Sequence, residues 1–115
     1  MKVPGVFRSA TDIREVAAGT VIFEEGAAGE EMFGVIDGEV EIRTPHGAVY
    51  HLGPDETFGE MSIVDSSPRS ASARAVTDAR LAVIDRKQFL YLVHETPLFA
   101  LQVMASMAQR LRASG

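Results

Sequence analysis

The sequence predicts a mainly β domain in which about eight short antiparallel strands form a sandwich or barrel, followed by two α-helices. Three observations favour this fold. Eight glycines lie between residues 19 and 59 and divide this part of the 115-residue chain into short segments. Several segments alternate residue types with the period of a strand, and helical spacing of apolar residues begins only after residue 85. The length suits one domain over residues 1–115, with its strands within about 11–85.

The first strands are indicated by alternation. Val40 and Ile42 alternate with charged neighbours in one segment, and Phe33 and Val35 alternate with their neighbours in the segment before it. Between the two segments lies Asp37-Gly38, the strongest hairpin signal in the chain, because glycine accepts the positive φ that tight hairpins require. The sequence therefore predicts short antiparallel strands joined by tight turns.

Further turns and strands follow the same logic. Pro45-His46-Gly47 and Gly53-Pro54-Asp55 are turn candidates because proline, glycine and aspartate favour turn conformations. The alternating segment 71–75 then predicts a strand. The continuous apolar run Leu81–Ile84 predicts a second strand, buried on both faces.

Two helices are predicted after these strands. Asp85 is a suitable N-cap for a helix over about 86–95. Thr96 suits the N-cap of a second helix over about 97–112, since Pro97 would then take the first helical position, where proline is favoured. An apolar stripe at three- and four-residue spacing supports this second helix: Leu101, Met104, Ala108 and Leu111.

Composition excludes several classes of function. The net charge of −5 argues against a protein that binds nucleic acid through its own basic surface. The absence of cysteine excludes disulfides, cysteine–zinc sites and thiol chemistry. No apolar run approaches the length of a membrane span, and the first residues lack the apolar core of a signal peptide. We therefore expect a soluble cytoplasmic domain with no membrane contact.

Catalysis is not indicated either. The three histidines, His46, His51 and His94, fall in a predicted turn, strand and helix, and none is paired at metal-ligand spacing. No arrangement of a nucleophile with a base, or of two carboxylates, suggests a reaction. We expect no enzyme activity, no metal and no cofactor.

The segment 58–71 carries the chemistry. A short helical turn after Gly59 would present free N–H groups, which bind anions. Arg69 offers a planar fork suited to phosphate, and Ser70 adds a hydroxyl and an N–H. Glu60 could accept a hydrogen bond from a sugar hydroxyl. Together these groups would bind a nucleotide, although each alone also suits a structural role, and Glu60 could pair with Arg69 instead.

The two motifs in this segment have a known counterpart. Phe58-Gly59-Glu60-Met61-Ser62-Ile63 and Arg69-Ser70-Ala71 resemble the phosphate-binding cassette of the cyclic nucleotide-binding domain family. This family includes bacterial catabolite activator-type regulators and protein kinase A regulatory subunits. The resemblance begins near residue 13, includes 19–26 and 36–42, and extends through both helices to 107–111.

The resemblance implies a β-roll of eight antiparallel strands with flanking helices, enclosing one cyclic nucleotide. It implies that Arg69 binds the phosphate, that Glu60 accepts from the ribose 2′-hydroxyl, and that backbone amides at 59–61 and 70–71 complete the anion site. Ile42 and Val49 match positions on the base side, where each would serve equally well as a core residue. The implied ligand-binding set is Gly59, Glu60, Met61, Ser62, Arg69, Ser70, Ala71, Ile42 and Val49.

The ligand and the output are less determined. Ser70 is similar to cyclic AMP-binding bacterial relatives and favours cyclic AMP, but its hydroxyl could also serve the amino group of cyclic GMP. Ser114 falls where the activator-type regulators place a hydroxyl that contacts the base. The first helix of the family is reduced to Pro4–Ala10, and neither an effector segment nor a DNA-binding segment is recognised.

Two roles remain open for the whole domain. The resemblance implies a sensor whose C-terminal helix moves, pairs with a second copy or contacts an effector protein. The alternative is a degenerate domain of the same fold that binds no nucleotide and serves as a protein-interaction module.

Overall fold

The computed structural model describes residues 2–114, with side chains through residue 112. It confirms the predicted class, with antiparallel strands followed by helices. The strands are β1 Ile13–Val16, β2 Val21–Phe23, β3 Glu31–Asp37, β4 Val40–Arg43, β5 Val49–Leu52, β6 Thr57–Phe58, β7 Ser72–Ala75 and β8 Ala79–Asp85. The helices are α1 Met61–Asp65, α2 Arg86–Glu95 and α3 Leu98–Ser114. No helix within residues 2–114 is both long enough and apolar enough to cross a bilayer.

The strands form two four-stranded antiparallel sheets with the orders β1-β8-β3-β6 and β2-β7-β4-β5. Apolar side chains from both sheets meet in one buried cluster, which includes Phe33 and Leu81 from the first sheet and Val40 and Ile42 from the second. The strands therefore enclose the core as a roll, and burial of this cluster supplies the main driving force for the fold.

Strand β3 is buried on both faces, which its alternation alone does not indicate. Met32 and Val35 on opposite faces are both fully buried. The outer face is covered by a second apolar cluster that contains Phe7 from the N-terminal turns and Phe99 from α3. A Cβ at Gly34 would lie 2.4 Å from the Phe7 ring, so only glycine fits beneath it.

The prediction of a hairpin at Asp37-Gly38 is wrong, although a turn is present there. Strand β3 pairs with β6 and β8, whereas β4 pairs with β5 and β7, so this turn carries the chain from one sheet to the other. Gly38 has a φ of +93°, and a Cβ there would lie 2.4 Å from the carbonyl oxygen of Asp78. Because it has no Cβ, Gly38 allows two turns to approach closely at a corner of the roll.

The other two turns lie where predicted. Residues 45–47 join β4 to β5, which are paired neighbours, and the Thr44 N–H donates to the Ala48 carbonyl at 2.9 Å. The turn at residues 53–55 leads from one sheet to the other, and the Glu56 N–H donates to the Gly53 carbonyl at 3.2 Å.

The C-terminal helices follow the sequence signals closely. The Asp85 carboxylate caps α2 by accepting from the Gln88 N–H at 2.8 Å. Helix α3 begins one residue after the predicted start at Pro97 and runs through Ser114. Its buried Gln102 donates to the Asp55 carbonyl at 2.6 Å and accepts from the Val3 N–H at 2.9 Å. These bonds fix the first half of α3 to the roll and to the N-terminal turns.

Candidate ligand-binding site

A cavity of about 270 Å³ opens at one end of the roll, between the cassette, the β4–β5 hairpin and α3. The cassette here means residues 58–71. The cavity is lined by Phe23, Ile42, Thr44, Pro45, His46, Ala48, Tyr50, Phe58, Gly59, Met61, Ser62, Arg69, Ser70, Ala71 and Arg110. Its size lies just below the usual range for small-molecule sites, and its walls combine apolar side chains with a few polar groups.

Arg69 is fixed in the wall of this cavity by its backbone and its side chain. Its N–H donates to the Ala27 carbonyl at 2.9 Å, and its carbonyl accepts from the Gly26 N–H at 2.8 Å. Its Nη1 donates to the carbonyls of Glu31 at 2.7 Å and Gly59 at 3.1 Å. The loop before β3 therefore sets the direction of the guanidinium.

Burial makes Arg69 an unusual cation. The residue is 6% exposed, and its guanidinium carbon lies 4.3 Å from the Phe23 ring centroid. Burial lowers the pKa of Arg69, and the negative charge of Glu31 partly opposes this. Its Nε is buried without a hydrogen-bond partner. Because arginine stays protonated, a buried cation with an unused donor is suited to an anion.

The cassette backbone continues the polar wall. Gly59 has a φ of +79°, which allows the sharp turn into α1. The N–H groups of Ile63 and Val64 both donate to the Glu60 carbonyl, at 3.0 and 3.1 Å, which leaves those of Met61 and Ser62 without a carbonyl partner in the helix. The hydroxyl of Ser62 donates to the Ser67 carbonyl at 3.1 Å and so closes the loop that follows α1. Ser70 and Ala71 line the cavity directly before β7.

Glu60 lies behind the cavity wall rather than in it. Its carboxylate is fully buried, and its Oε1 accepts from Nη1 of Arg110 on α3 at 2.9 Å. Its Oε2 is buried without a partner. Arg110 also donates to the Thr57 carbonyl at 3.2 Å and itself lines the cavity. The pairing of Glu60 with Arg69, considered from the sequence, is therefore replaced by pairing with Arg110.

Arg110 is a charged site residue that sequence reasoning did not assign, and the same holds for several uncharged lining residues such as Phe23 and Tyr50. It lies within the segment 107–111 that carried part of the resemblance, beside the apolar residues Met107, Ala108 and Leu111 of α3. A charged residue beside an apolar helical stripe is a signal, but its partner lies 50 residues earlier in the chain. Only the fold shows that the two meet.

The base side of the cavity requires one correction. Ile42 lines it, as expected, but Val49 does not and is 41% exposed. Val49 pairs with Arg43, and strand alternation directs its neighbours Ala48 and Tyr50 to the cavity instead. The side chain of Ser114, expected near the base, lies outside the described residues.

Comparison with known proteins identifies the family to which this fold belongs. The family model described as the cyclic nucleotide-binding domain matches residues 13–96, which include the whole cassette. The chain belongs to the cyclic nucleotide-binding domain family.

Relatives of this cyclic nucleotide-binding domain include bacterial regulators. The chain is 39% identical over 99 residues to the cyclic AMP receptor protein of Thermus thermophilus, a match covering 82% of this chain and 46% of that protein. The crystal structure of the Thermus thermophilus catabolite activator protein matches with a TM-score of 0.76 and 37% identity, covering 97% of this chain and 56% of that one.

A further structure, described as "A cyclic-GMP-dependent signalling pathway regulates bacterial phytopathogenesis", matches the domain with a TM-score of 0.79 and 32% identity. It covers 97% of this chain and 95% of that one. By contrast, the chain spans about half the length of the curated regulators it matches.

Proposed function

We propose that this domain is a regulatory sensor that binds a cyclic nucleotide, preferring cyclic AMP to cyclic GMP, and that it has no enzyme activity of its own. One observation carries the proposal. The guanidinium of Arg69 is buried in the cavity wall, with an unused Nε and no carboxylate partner among the described ion pairs. Relatives named for cyclic AMP and for cyclic GMP support this class of ligand.

The phosphate is assigned to the Arg69 end of the cavity. The guanidinium supplies charge and donors, while the amides at residues 59–61 and 70–71, with the Ser70 hydroxyl, supply further donors around one anion. The anion would neutralise a cation that is already desolvated, so the attraction acts through a medium less screening than water. Ser62 supports the site by closing the loop after α1.

The ribose is assigned to Glu60. Its Oε2 is a buried acceptor without a partner, and the ribose 2′-hydroxyl is a donor that would satisfy it. Glu60 is screened from the cavity by its pairing with Arg110, so we expect a shift of Arg110 when the ligand binds. Because Arg110 belongs to α3, this shift would couple ligand binding to the last helix.

A second candidate has an observation in its favour. The Glu60–Arg110 pair already satisfies one carboxylate oxygen without any nucleotide, as expected of a degenerate domain that serves as a protein-interaction module. This candidate gives no role to the unused Nε of Arg69, whereas the sensor does.

The experiment that separates the two is calorimetric titration of the whole chain with cyclic AMP, cyclic GMP and cyclic di-GMP. The sensor predicts saturable 1:1 binding of cyclic AMP, weaker binding of cyclic GMP and none of cyclic di-GMP, which exceeds a cavity of about 270 Å³. The absence of heat with all three ligands at millimolar concentration would favour the interaction module.

Helix α3 is proposed as the output element, in contact with a second copy or an effector protein. Its exposed apolar residues are Leu98, Leu101, Met104 and Leu111. We assign the chain to the cytoplasm, without direct contact to DNA or membrane. Without ligand, the backbone amides of residues 101–111 should exchange hydrogen faster than those of residues 81–84. Saturation with ligand should slow the exchange at residues 101–111. Slow, ligand-independent exchange in a chain that sediments as a monomer would leave α3 as a fixed part of the core.

A further inference from the structure

We propose that His46, at the tip of the β4–β5 hairpin, contacts the edge of the purine base and helps to select between bases. The inference rests on the proposed function, since it assigns a further part of the same cavity. His46 lines this cavity, whereas His51 and His94 do not. Neither the family match nor the cassette motif assigns a role to this histidine.

The position of the hairpin supports a contact with the base rather than with the phosphate. Strands β4 and β7 pair up to Arg43 and Ser72, so the hairpin continues beyond the sheet beside the chain that carries Ser70 and Ala71. The anion donors of the cavity belong to the cassette, and the hairpin forms the wall beside it. A nucleotide with its phosphate at Arg69 would extend its other end toward the hairpin.

The hairpin also fixes where His46 lies. The Thr44 N–H donates to the Ala48 carbonyl at 2.9 Å, and the Ala48 N–H donates to the Thr44 hydroxyl oxygen at 3.1 Å. The Gly47 N–H donates to the Thr44 carbonyl at 3.1 Å, and Gly47 takes a φ of +85°. His46 lies within this hydrogen-bonded turn, directly after a proline whose own φ is fixed, and such rigidity of the turn favours selective contacts.

The His46 ring is available to a ligand. None of the hydrogen bonds among the described residues uses its nitrogens, whereas the His51 ring is engaged by Glu39 at 2.6 Å. Ile42, Ala48 and Phe23 in the same cavity are apolar, would pack against any purine and cannot distinguish adenine from guanine by hydrogen bonding. Thr44, Tyr50 and Ser70 carry hydroxyls, and that of Thr44 already accepts from the Ala48 N–H.

An imidazole can make this distinction. A neutral ring carries one donor and one acceptor. Adenine presents an amino donor at the position where guanine presents a carbonyl acceptor. A ring that keeps one tautomer and one orientation in the complex would favour one of the two bases, because the mismatched base leaves a polar group unpaired.

The test compares dissociation constants for cyclic AMP and cyclic GMP in the wild-type chain, in His46→Ala and in the control His94→Ala, which removes an exposed histidine from α2 outside the cavity. We expect His46→Ala to move the ratio of the two constants toward one by about three- to tenfold, the loss of one hydrogen bond. His46→Gln, which keeps a donor and an acceptor, should restore part of the ratio. The control should leave it unchanged.

An unchanged ratio in His46→Ala, with binding retained, would overturn the role of His46 and leave the proposed function standing. Failure of the wild-type chain to bind either nucleotide would refute the proposed function and this inference with it. His46 is exposed, and thermal unfolding of each variant verifies that the fold is intact.

Discussion

The carboxylate of Glu60 and the guanidinium of Arg110 lie 2.9 Å apart and join the start of α1 to the last helix of the chain. The carboxylate is fully buried, while a quarter of the Arg110 side chain is exposed. One end of this contact belongs to the cassette, and the other end belongs to the proposed output helix. A ligand that forms a hydrogen bond with Glu60 must therefore also affect the contact between Glu60 and α3.

Removal of Arg110 should destabilise the domain. Arg110→Ala leaves the Glu60 carboxylate buried and unpaired, which we expect to lower the free energy of unfolding by about 3 kcal/mol, at the lower end for a buried pair because Arg110 is partly exposed. Urea denaturation measures this difference. Arg112→Ala, which removes an exposed arginine from the same helix, should change it by less than about 0.5 kcal/mol.

A double variant separates the charge from the packing. Glu60→Gln combined with Arg110→Met removes both charges, so it should be more stable than Arg110→Ala alone. Equal stabilities of the double variant and Arg110→Ala would show that the ion pair is not the source of the loss.

The ribose assignment predicts discrimination against a ligand that lacks the 2′-hydroxyl. The buried Oε2 of Glu60 has no partner among the described residues, and 2′-deoxy cyclic AMP would leave it so. We expect the deoxy ligand to bind at least about tenfold more weakly, which corresponds to about 1.4 kcal/mol. Competition against a fluorescent cyclic nucleotide measures both affinities. Equal affinities would mean that Glu60 serves only to pair with Arg110.

The close approach of Gly29 to the Arg69 guanidinium allows a steric test of the Arg69 position. A Cβ at Gly29 would lie 2.4 Å from Arg69 Nε, and Gly29 is not among the residues with positive φ. Gly29→Ala should therefore displace the guanidinium and weaken cyclic AMP binding by about tenfold or more, because the fork requires fixed geometry. Gly53→Ala is the matched control, since its nearest neighbour would be Glu56 Oε1 at 4.0 Å. Similar losses in both variants would contradict the steric explanation.

Asp65 predicts a pH dependence of the loop that follows α1. Hydrogen bonds from the side chain and then the backbone of Ser67 lower the pKa of Asp65. The ionised carboxylate therefore stabilises the folded state above the pKa of aspartate in the unfolded chain, about 3.9. This contribution is lost as pH falls through the lower folded value.

An NMR titration of the carboxyl group should thus give a midpoint below that of ordinary aspartate. Ser67→Ala should move the midpoint upward, and Ser9→Ala should not. A midpoint at the ordinary value in the wild-type chain would show that these hydrogen bonds are absent in solution.

Much of the fold was predictable because its signals are local. The Asp85 cap, the apolar run Leu81–Ile84 and the hairpin turn at residues 45–47 each depend on neighbours a few residues away, and each lies where predicted. The corner at Gly38 was not predictable, because the same dipeptide suits a hairpin and a crossing between sheets. Which of the two forms depends on pairing with distant strands.

The site residues were likewise predictable only where their signals are local in the sequence. The cassette motif placed Arg69 and Ser70 in one segment, and both line the cavity. Val49 was misassigned because a shift of one residue along a strand reverses the face that a side chain occupies. The role of Arg110 required knowledge of how α3 packs on the roll, which no pattern within α3 contains.

The most direct test of the account is the affinity of Arg69 variants for cyclic AMP, measured by calorimetry. Arg69→Ala should lose about 2–5 kcal/mol of binding free energy, or roughly 30- to several-thousand-fold in affinity, and Arg69→Lys should recover little because a point charge cannot replace the fork. Arg74→Ala removes an exposed arginine of β7 that pairs with Glu41 away from the cavity, and it should bind as the wild type does. Unchanged binding by Arg69→Ala would contradict the phosphate site on which the proposed function depends.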